Sequence, residues 1–472
     1  VVALSFQPEI EPSRSPGKTA LAERKDLVKN ALRIVGAIVL LAVLIGVMAS
    51  PSPDLRKYPK REQVRLWHMW TGEWKDVIDG IVAAYNESQD KYEVVPLSLP
   101  SAAETKLQMG IAGGDPPDVM VEWNPVIPTW AEGNLLQSID ELMNADEKRL
   151  YDEQAFPVVK RIGMYKGRIY GLPVGLNLTA CYVRKDFLKE AGVDPETWVP
   201  KTLEELEEVG KKLDRRDANG NLTRVGFMPP GFTMAAPAFG GGLWDWNGGG
   251  GLSINSPENL RALEHIVRAR KRLGFDDVVR FQSAQGSDFG GAWAFIQGAY
   301  GIVIDGQWRV EQLRKYAPHV PYRVFPMPSP AGGPPVAGST GGNFILIPKG
   351  ARNIPGAWDF VKWWSGLTKP ETAAMPFTKM AQMPPSAAVA NTPGYRQYLR
   401  ENPEFSKFVD MMPSKNIHPL PPIAIQMFLN DKVTAAVDSA MRGTITPKQA
   451  LQQVEKQLAD ETARRRKLGY RD

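Results

Sequence analysis

The residues best equipped for chemistry in this chain stand at the ends of short apolar runs. In residues 112–130, AGGDPPDVMVEWNPVIPTW, a Gly/Pro turn feeds Val119, Met120 and Val121, and the run stops at Glu122, Trp123 and Asn124. A carboxylate accepts hydrogen bonds, an amide accepts and donates, and an indole offers a flat apolar face. Such a trio can grip a ring-shaped or polyhydroxylated solute without breaking a bond in it. Trp70, Thr71, Gly72 and Glu73 close a second run, VRLWHMW, and Trp308 follows a third, AYGIVI, just beyond Asp305. Glu73, Glu122, Asp245 and Asp305 are also the raw material of a two-carboxylate glycosidase, whose defining separation a sequence does not supply.

Other chemistries lack their residues. Cys181 is alone, so neither an internal disulfide nor a cysteine metal site is expected, and its apolar neighbours make it a strand filler. His68, His265, His319 and His418 show no ligand spacing. The segment around Ser339, AGSTG, lacks the first glycine of a nucleophile elbow and precedes its strand instead of following one. DANGN at 217–221 lacks the closing glutamate of a calcium loop and is expected to be a tight turn. The glycine-rich loop at 240–251, which carries Trp244 and Asp245, has no phosphate-loop spacing. No catalytic residue, metal or cofactor is expected.

Elements that alternate between two periodicities must position these residues. Strands are expected at 64–70, 92–99, 119–121, 299–304 and 343–347, with helices at 75–85, 103–111, 130–136, 202–213, 257–273, 356–365 and 446–463. That alternation predicts an α/β fold built on a parallel sheet, and such sheets bind ligands at the carboxyl ends of their strands. Thr202 with Glu205 spells a capping box, and Pro447 opens the last helix. Residues 167–182 are a long extended stretch able to pass from one lobe to another, and the Pro/Gly-rich segment 326–335 is the candidate for a second crossing. Trp358, Trp363 and Trp364 repeat at helical spacing and are expected to pack that helix.

At 472 residues the chain exceeds one core, so two lobes are expected. A net charge of +5 and a single basic run outside the amino terminus, Arg464 to Lys467, argue for a solvated helix face and against nucleic-acid binding. Thirteen tryptophans favour flat contact surfaces. Arg24, Lys25, Lys29 and Arg33 precede the apolar stretch 34–50, in the order of an export signal or a transmembrane anchor. No cysteine follows it, so a lipoprotein anchor is not expected, and Val1 is not taken as the natural start.

Several pieces in order, WTGEW, AGGDPPDVM with WAEGNLL, GRIYGLPVGLNLTACY with PKTLEEL, GAYGIVIDGQW, STGGNFILIPKG with AWDFVKWW, and TPKQALQQVEKQLAD, resemble the extracellular solute-binding proteins of bacterial ABC importers. The resemblance is to their carbohydrate-binding group, the relatives of maltose-binding protein. It implies a periplasmic-binding-protein-like fold of type II, two α/β lobes joined by crossing strands with the ligand between them. The implied layout is a leader at 1–33, the signal or anchor at 34–50, a tether at 51–61, one lobe from 62–175 with 333–380, and a second from 176–332 with 381–472. The implied ligand contacts are Trp70, Thr71, Gly72, Glu73, Glu122, Trp123, Asn124, Asn177, Trp244, Asp245, Trp308, Gly341, Gly342 and Asn343. Where maltose-binding protein has a carboxylate, this chain has Asn177. The implied activity is capture of a sugar, most simply an oligosaccharide, outside the cytoplasm by a monomer that delivers it to a membrane permease. The alternatives are a sugar phosphate or other small polar solute, or a secreted carbohydrate-active enzyme.

Overall fold

The computed structural model describes residues 29, 31, 35–41, 56–286 and 290–470. The chain forms two units, residues 1–60 and residues 61–472. In the first, residues 35–41 are helical with exposed side chains, and among the described residues no helix is long and apolar enough to cross a membrane. Nearly all of the expected leader and the remainder of the expected signal or anchor lie outside the described residues.

The second unit is organised by strands β1 (Glu62–His68), β2 (Tyr92–Ser98), β3 (Val119–Trp123), β4 (Met164–Tyr165), β5 (Arg168–Ile169), β6 (Gly171–Arg184), β7 (Arg215–Arg216), β8 (Leu222–Phe227), β9 (Tyr300–Gly306), β10 (Tyr322–Phe325), β11 (Gly338–Leu346) and β12 (Ile417–His418). The main sheet runs β2-β1-β3-β11-β6-β9-β8-β7, with β10 against β6 and β12 against β11. β1 is parallel to β2 and β3, and β8 is parallel to β9, as βαβ units require. The centre departs from the all-parallel expectation: β11 runs antiparallel to β3 and β6, and β6 antiparallel to β9.

That departure is what joins the two lobes of this mixed α/β fold. β6 pairs with β11 from Gly171 to Leu178 and with β9 from Thr179 to Val183, so one strand serves both ends of the sheet. Its side chains are buried almost throughout, which explains an apolar run too long for a simple edge strand. The Pro/Gly-rich segment 326–335 is irregular, and the crossing is made by β11 behind it.

Two large apolar clusters flank the crossing. The first gathers Val64, Leu66, Val119, Val121, Ile345 and the helices Glu73–Ser88 and Ile354–Ser365, in which Trp358 and Trp364 are buried as expected and Trp363 is half-buried. It also takes in Met383, Tyr395, Phe405, Phe408 and Ile417. The second gathers Cys181, Val183, Phe227 and the helices Leu203–Leu213, Pro257–Leu273, Gln426–Met441 and Pro447–Lys467. Burying each large side chain contributes about 1.5–3 kcal/mol, offset by ordering the chain.

Local signals held with instructive differences. Thr202 Oγ1 accepts from Glu205 N at 3.2 Å, but the Glu205 carboxylate accepts from Lys201 N instead of returning to Thr202, so the box is half formed. Thr446 and Gln449 form the complete box. The helix expected at 130–136 is Val126–Glu132, because Gly133 ends it and Leu136 bridges to Pro348. The basic run is not a uniform solvated face: Arg465 is largely buried and pairs with Glu132. Asp217 accepts from Asn219 N and Asn221 N, making the tight turn at 217–221.

Buried histidines give the fold a pH signature. Burial pushes His68 down, and burial with a nearby arginine pushes His265 and His418 down to about 4. The unfolded chain protonates them near 6.5, so between pH 6.5 and 4 it binds more protons than the fold does. Their contribution is fully present above that window and is lost as pH falls through it. Urea unfolding at pH 7.5 and 5 should show a loss on the order of 1–2 kcal/mol for each of His265 and His418, with His68 adding in the same direction, and His265→Gln should flatten the slope. Equal wild-type stability at the two pH values would refute this account.

Candidate functional site

The crossing places the expected contacts by strand register. Asn343 of β11 stands opposite Trp123 of β3 on one side and Gly175 of β6 on the other, while Gly341 stands opposite Asn177. β11 and β6 approach so closely that a Cβ at Gly342 would run into the Gly175 carbonyl, which restricts that position to glycine. Asn124 N donates to Gly342 O at 2.9 Å, and Gly342 N donates back to Asn124 Oδ1 at 2.9 Å. Asn124 and Gly342 are therefore committed to each other, and their part is to hold the carboxyl end of β3 against the crossing. Asn343 Oδ1 is buried without a hydrogen-bond partner among the described residues.

Glu122 is half-buried and Trp123 is 43% exposed. Burial raises the Glu122 carboxyl, and the Trp123 N–H, donating to Glu122 Oε2 at 3.1 Å, works against it. A carboxylate poorly solvated by its own protein gains from hydroxyl donors brought by a ligand.

Gln307 carries no distinguishing pattern in the sequence, yet it fastens this region together. Fully buried, it accepts from Leu178 N at 2.9 Å and donates toward Leu176 O at 3.2 Å and Asn177 Oδ1 at 3.3 Å. Its only sequence signal is its place between Gly306 and Trp308. Trp308 opens the helix Trp308–Tyr316, and its ring lies so close over Gly306 that a Cβ there would collide with it. From the far end of that helix Lys315 reaches Glu73 at 2.9 Å, tying the first-strand loop to the element that carries Trp308. In that loop Thr71 and Gly72 are exposed, and Trp70 is half-buried beside His68, with ring centroids 6.0 Å apart.

The glycine-rich loop behaves differently. Asp245 Oδ1 accepts from Asn247 N and Gly248 N and so shapes its own turn, and Trp244 leans on Trp246. No hydrogen bond, ion pair or ring contact among the described residues joins Trp244 or Asp245 to the crossing. The ring that reaches outward is Trp246, which stacks on His418 at 6.4 Å and sits 5.4 Å from the Arg161 guanidinium.

Beyond Asp305 lies a cavity of about 320 Å³ that the sequence did not reveal, bounded by Pro230, Phe232, Arg270, Trp293, Tyr300 and Asp305. It forms where β8 stops at Phe227 while β9 continues to Gly306. Among the described residues no group of His, Cys, Asp and Glu is arranged to hold a metal.

The profile of the bacterial extracellular solute-binding protein family matches residues 71–366, more than half of the chain. The chain belongs to this family. A maltotriose-binding protein of Pyrococcus abyssi is 24% identical over 344 residues, covering 70% of this chain and 68% of the relative. The sn-glycerol-3-phosphate-binding periplasmic protein of Salmonella typhimurium is 24% identical over 423 residues, covering 82% and 90%. The solved structure of CpMnBP1 with mannotriose bound superposes with a TM-score of 0.70 at 25% identity, over 84% of this chain and 99% of that one.

In this solute-binding protein the crossing depends on Gln307. Gln307→Leu removes the side-chain acceptor of the Leu178 N–H and leaves the Leu176 carbonyl with only the long bond from Met383 N, and should cost roughly 1–3 kcal/mol in urea unfolding. A loss below about half a kcal/mol would mean that the crossing does not rely on those bonds.

Proposed function

We propose that this chain is an extracytoplasmic binding protein of an ABC importer. It captures a sugar, most simply an oligosaccharide, between two lobes and delivers it as a monomer to a membrane permease. The observation that carries this reading is the meeting at one crossing of Glu122, Trp123, Asn177, Asn343 and, through Gln307, Trp308. Polar groups and aromatic faces converge there from both ends of the sheet, as a ligand that favours a closed state requires. Trp70, Thr71, Gly72, Glu73, Trp244 and Asp245 complete the proposed contacts, with Asn124, Gly341 and Gly342 shaping the floor. Relatives named for maltotriose and mannotriose support an oligosaccharide ligand.

Binding without turnover fits the carboxylates. Asp305 is held by Arg309 at 2.8 Å, Asp245 by its own turn, and Glu73 by Lys315. We further propose that segment 34–50 exports or anchors the chain and that 51–61 tethers it. We place one lobe on 62–175 with 333–380 and the other on 176–332 with 381–472, with the apolar side chains between Met383 and Ile417 packing toward the first. A sugar phosphate is the second reading, supported by the glycerol-3-phosphate-binding relative and by Arg270 in the cavity.

Thermal unfolding of the full chain against neutral oligosaccharides, monosaccharides and sugar phosphates tests the proposal. A ligand at a hundred times its dissociation constant adds about 2.7 kcal/mol, so one sugar class should raise the melting temperature and be recovered unchanged. Trp308→Ala should weaken that ligand by roughly 1–3 kcal/mol. No shift with any carbohydrate, or consumption of the sugar, would overturn the binding-protein reading.

A further inference from the structure

The cavity beside β9 is bordered by a guanidinium that has no ion pair among the described residues. Its walls mix polar and apolar surface, with the aromatic rings of Phe232 and Trp293 buried at the edge. Its floor is the stretch Val303 to Asp305, which pairs with β6 on one side but has lost β8 on the other, since the β8 ladder ends at Phe227 and Ile302. Two charged side chains border it, Asp305 and Arg270. Asp305 is neutralised where it stands: one oxygen takes Arg309 Nε at 2.8 Å, and the other accepts the Gly306 N–H at 2.8 Å.

Arg270 is not neutralised. It projects from the last turn of the helix Pro257–Leu273 and makes no ion pair among the described residues. Among the described residues its one hydrogen-bonding contact is a long 3.5 Å approach of Nη2 to the neutral amide of Gln282, and Nη1 is buried without a partner. The ring of Phe275 lies 5.8 Å from the guanidinium, and Asp438 attracts it from beyond pairing distance. A half-buried guanidinium with so few partners has unused capacity for an anion, and its planar fork matches the paired oxygens of a carboxylate or phosphate. At about 320 Å³ the cavity lies at the small end of ligand pockets, the size of a single sugar unit with its substituent.

We propose that this cavity receives a sugar unit bearing an anionic substituent, a carboxylate or a phosphate, which pairs with Arg270. The proposal rests on the sugar-binding reading above and narrows its substrate class to acidic saccharides.

The test is calorimetric titration of the full chain with two matched sets: glucose, glucuronate and glucose 6-phosphate, and galactose, galacturonate and galactose 6-phosphate. An acidic sugar should bind at least tenfold tighter than its neutral parent, and the arm that responds tells a uronate from a phosphate. Arg270→Gln, checked by its ligand-free melting curve, should erase that margin while leaving neutral-sugar affinity within about twofold. Arg270→Lys, which keeps the charge but loses the fork, should retain part of it. Neutral sugars binding as tightly as their acids, or a margin that survives Arg270→Gln, would overturn the inference. So would a neutral oligosaccharide that binds and that no acidic sugar displaces, and in that case the sugar-binding function would stand. Silence from every neutral and acidic sugar would remove both.

Discussion

The contact on which the rest depends is the close passage of β6 and β11 at Gly175 and Gly342. There is no room for a side chain where the two backbones meet, and that lack of room brings a strand from each end of the sheet into one floor. Asn124 clamps β3 onto this point, and Gln307 clamps the start of the Trp308 helix onto it. The polar side chains of the candidate site therefore fall into two kinds. Some are used up by holding the floor together, and others, such as Glu122 and Asn343, are left with incomplete partners. Unspent hydrogen-bonding capacity on a rigid floor is what a solute with many hydroxyls can use, because such a surface loses little order when it binds.

Much of the fold was legible because the signals were local. The apolar spacing of the Glu73–Ser88 helix, the Pro447 start of the last helix and the long extended run of β6 follow from residues within one element. The antiparallel centre was not legible, since strand direction is decided by how a chain returns and no residue of β11 encodes that return. The helix near Trp130 slipped by four residues for a local reason, the stop at Gly133, which apolar spacing alone conceals.

The site was legible to a different degree. Strand-end residues such as Glu122 and Trp123 announce themselves by an abrupt change from apolar to polar. Gln307 and Arg270 do not, because each is one polar residue in an ordinary context whose meaning comes from partners far away in sequence, or from their scarcity. Asp245 shows a double use: its residue type and flexible loop suggested a ligand contact, and one of its oxygens also accepts from the turn that it builds. Residue type proposes a chemistry, and competition from nearby N–H groups decides whether it remains free.

The position of β11 in the sheet also bears on how the chain is made. β11 lies beside β3, yet β3 ends at Trp123 and β11 begins only at Gly338. At roughly 5–20 residues per second, tens of seconds of synthesis separate the two. Throughout that interval the first sheet lacks its inner neighbour and the hydrogen-bonding edge of β3 has no strand to pair with. The interleaved order of strands that unites the finished molecule thus delays its compaction until β11 has been made.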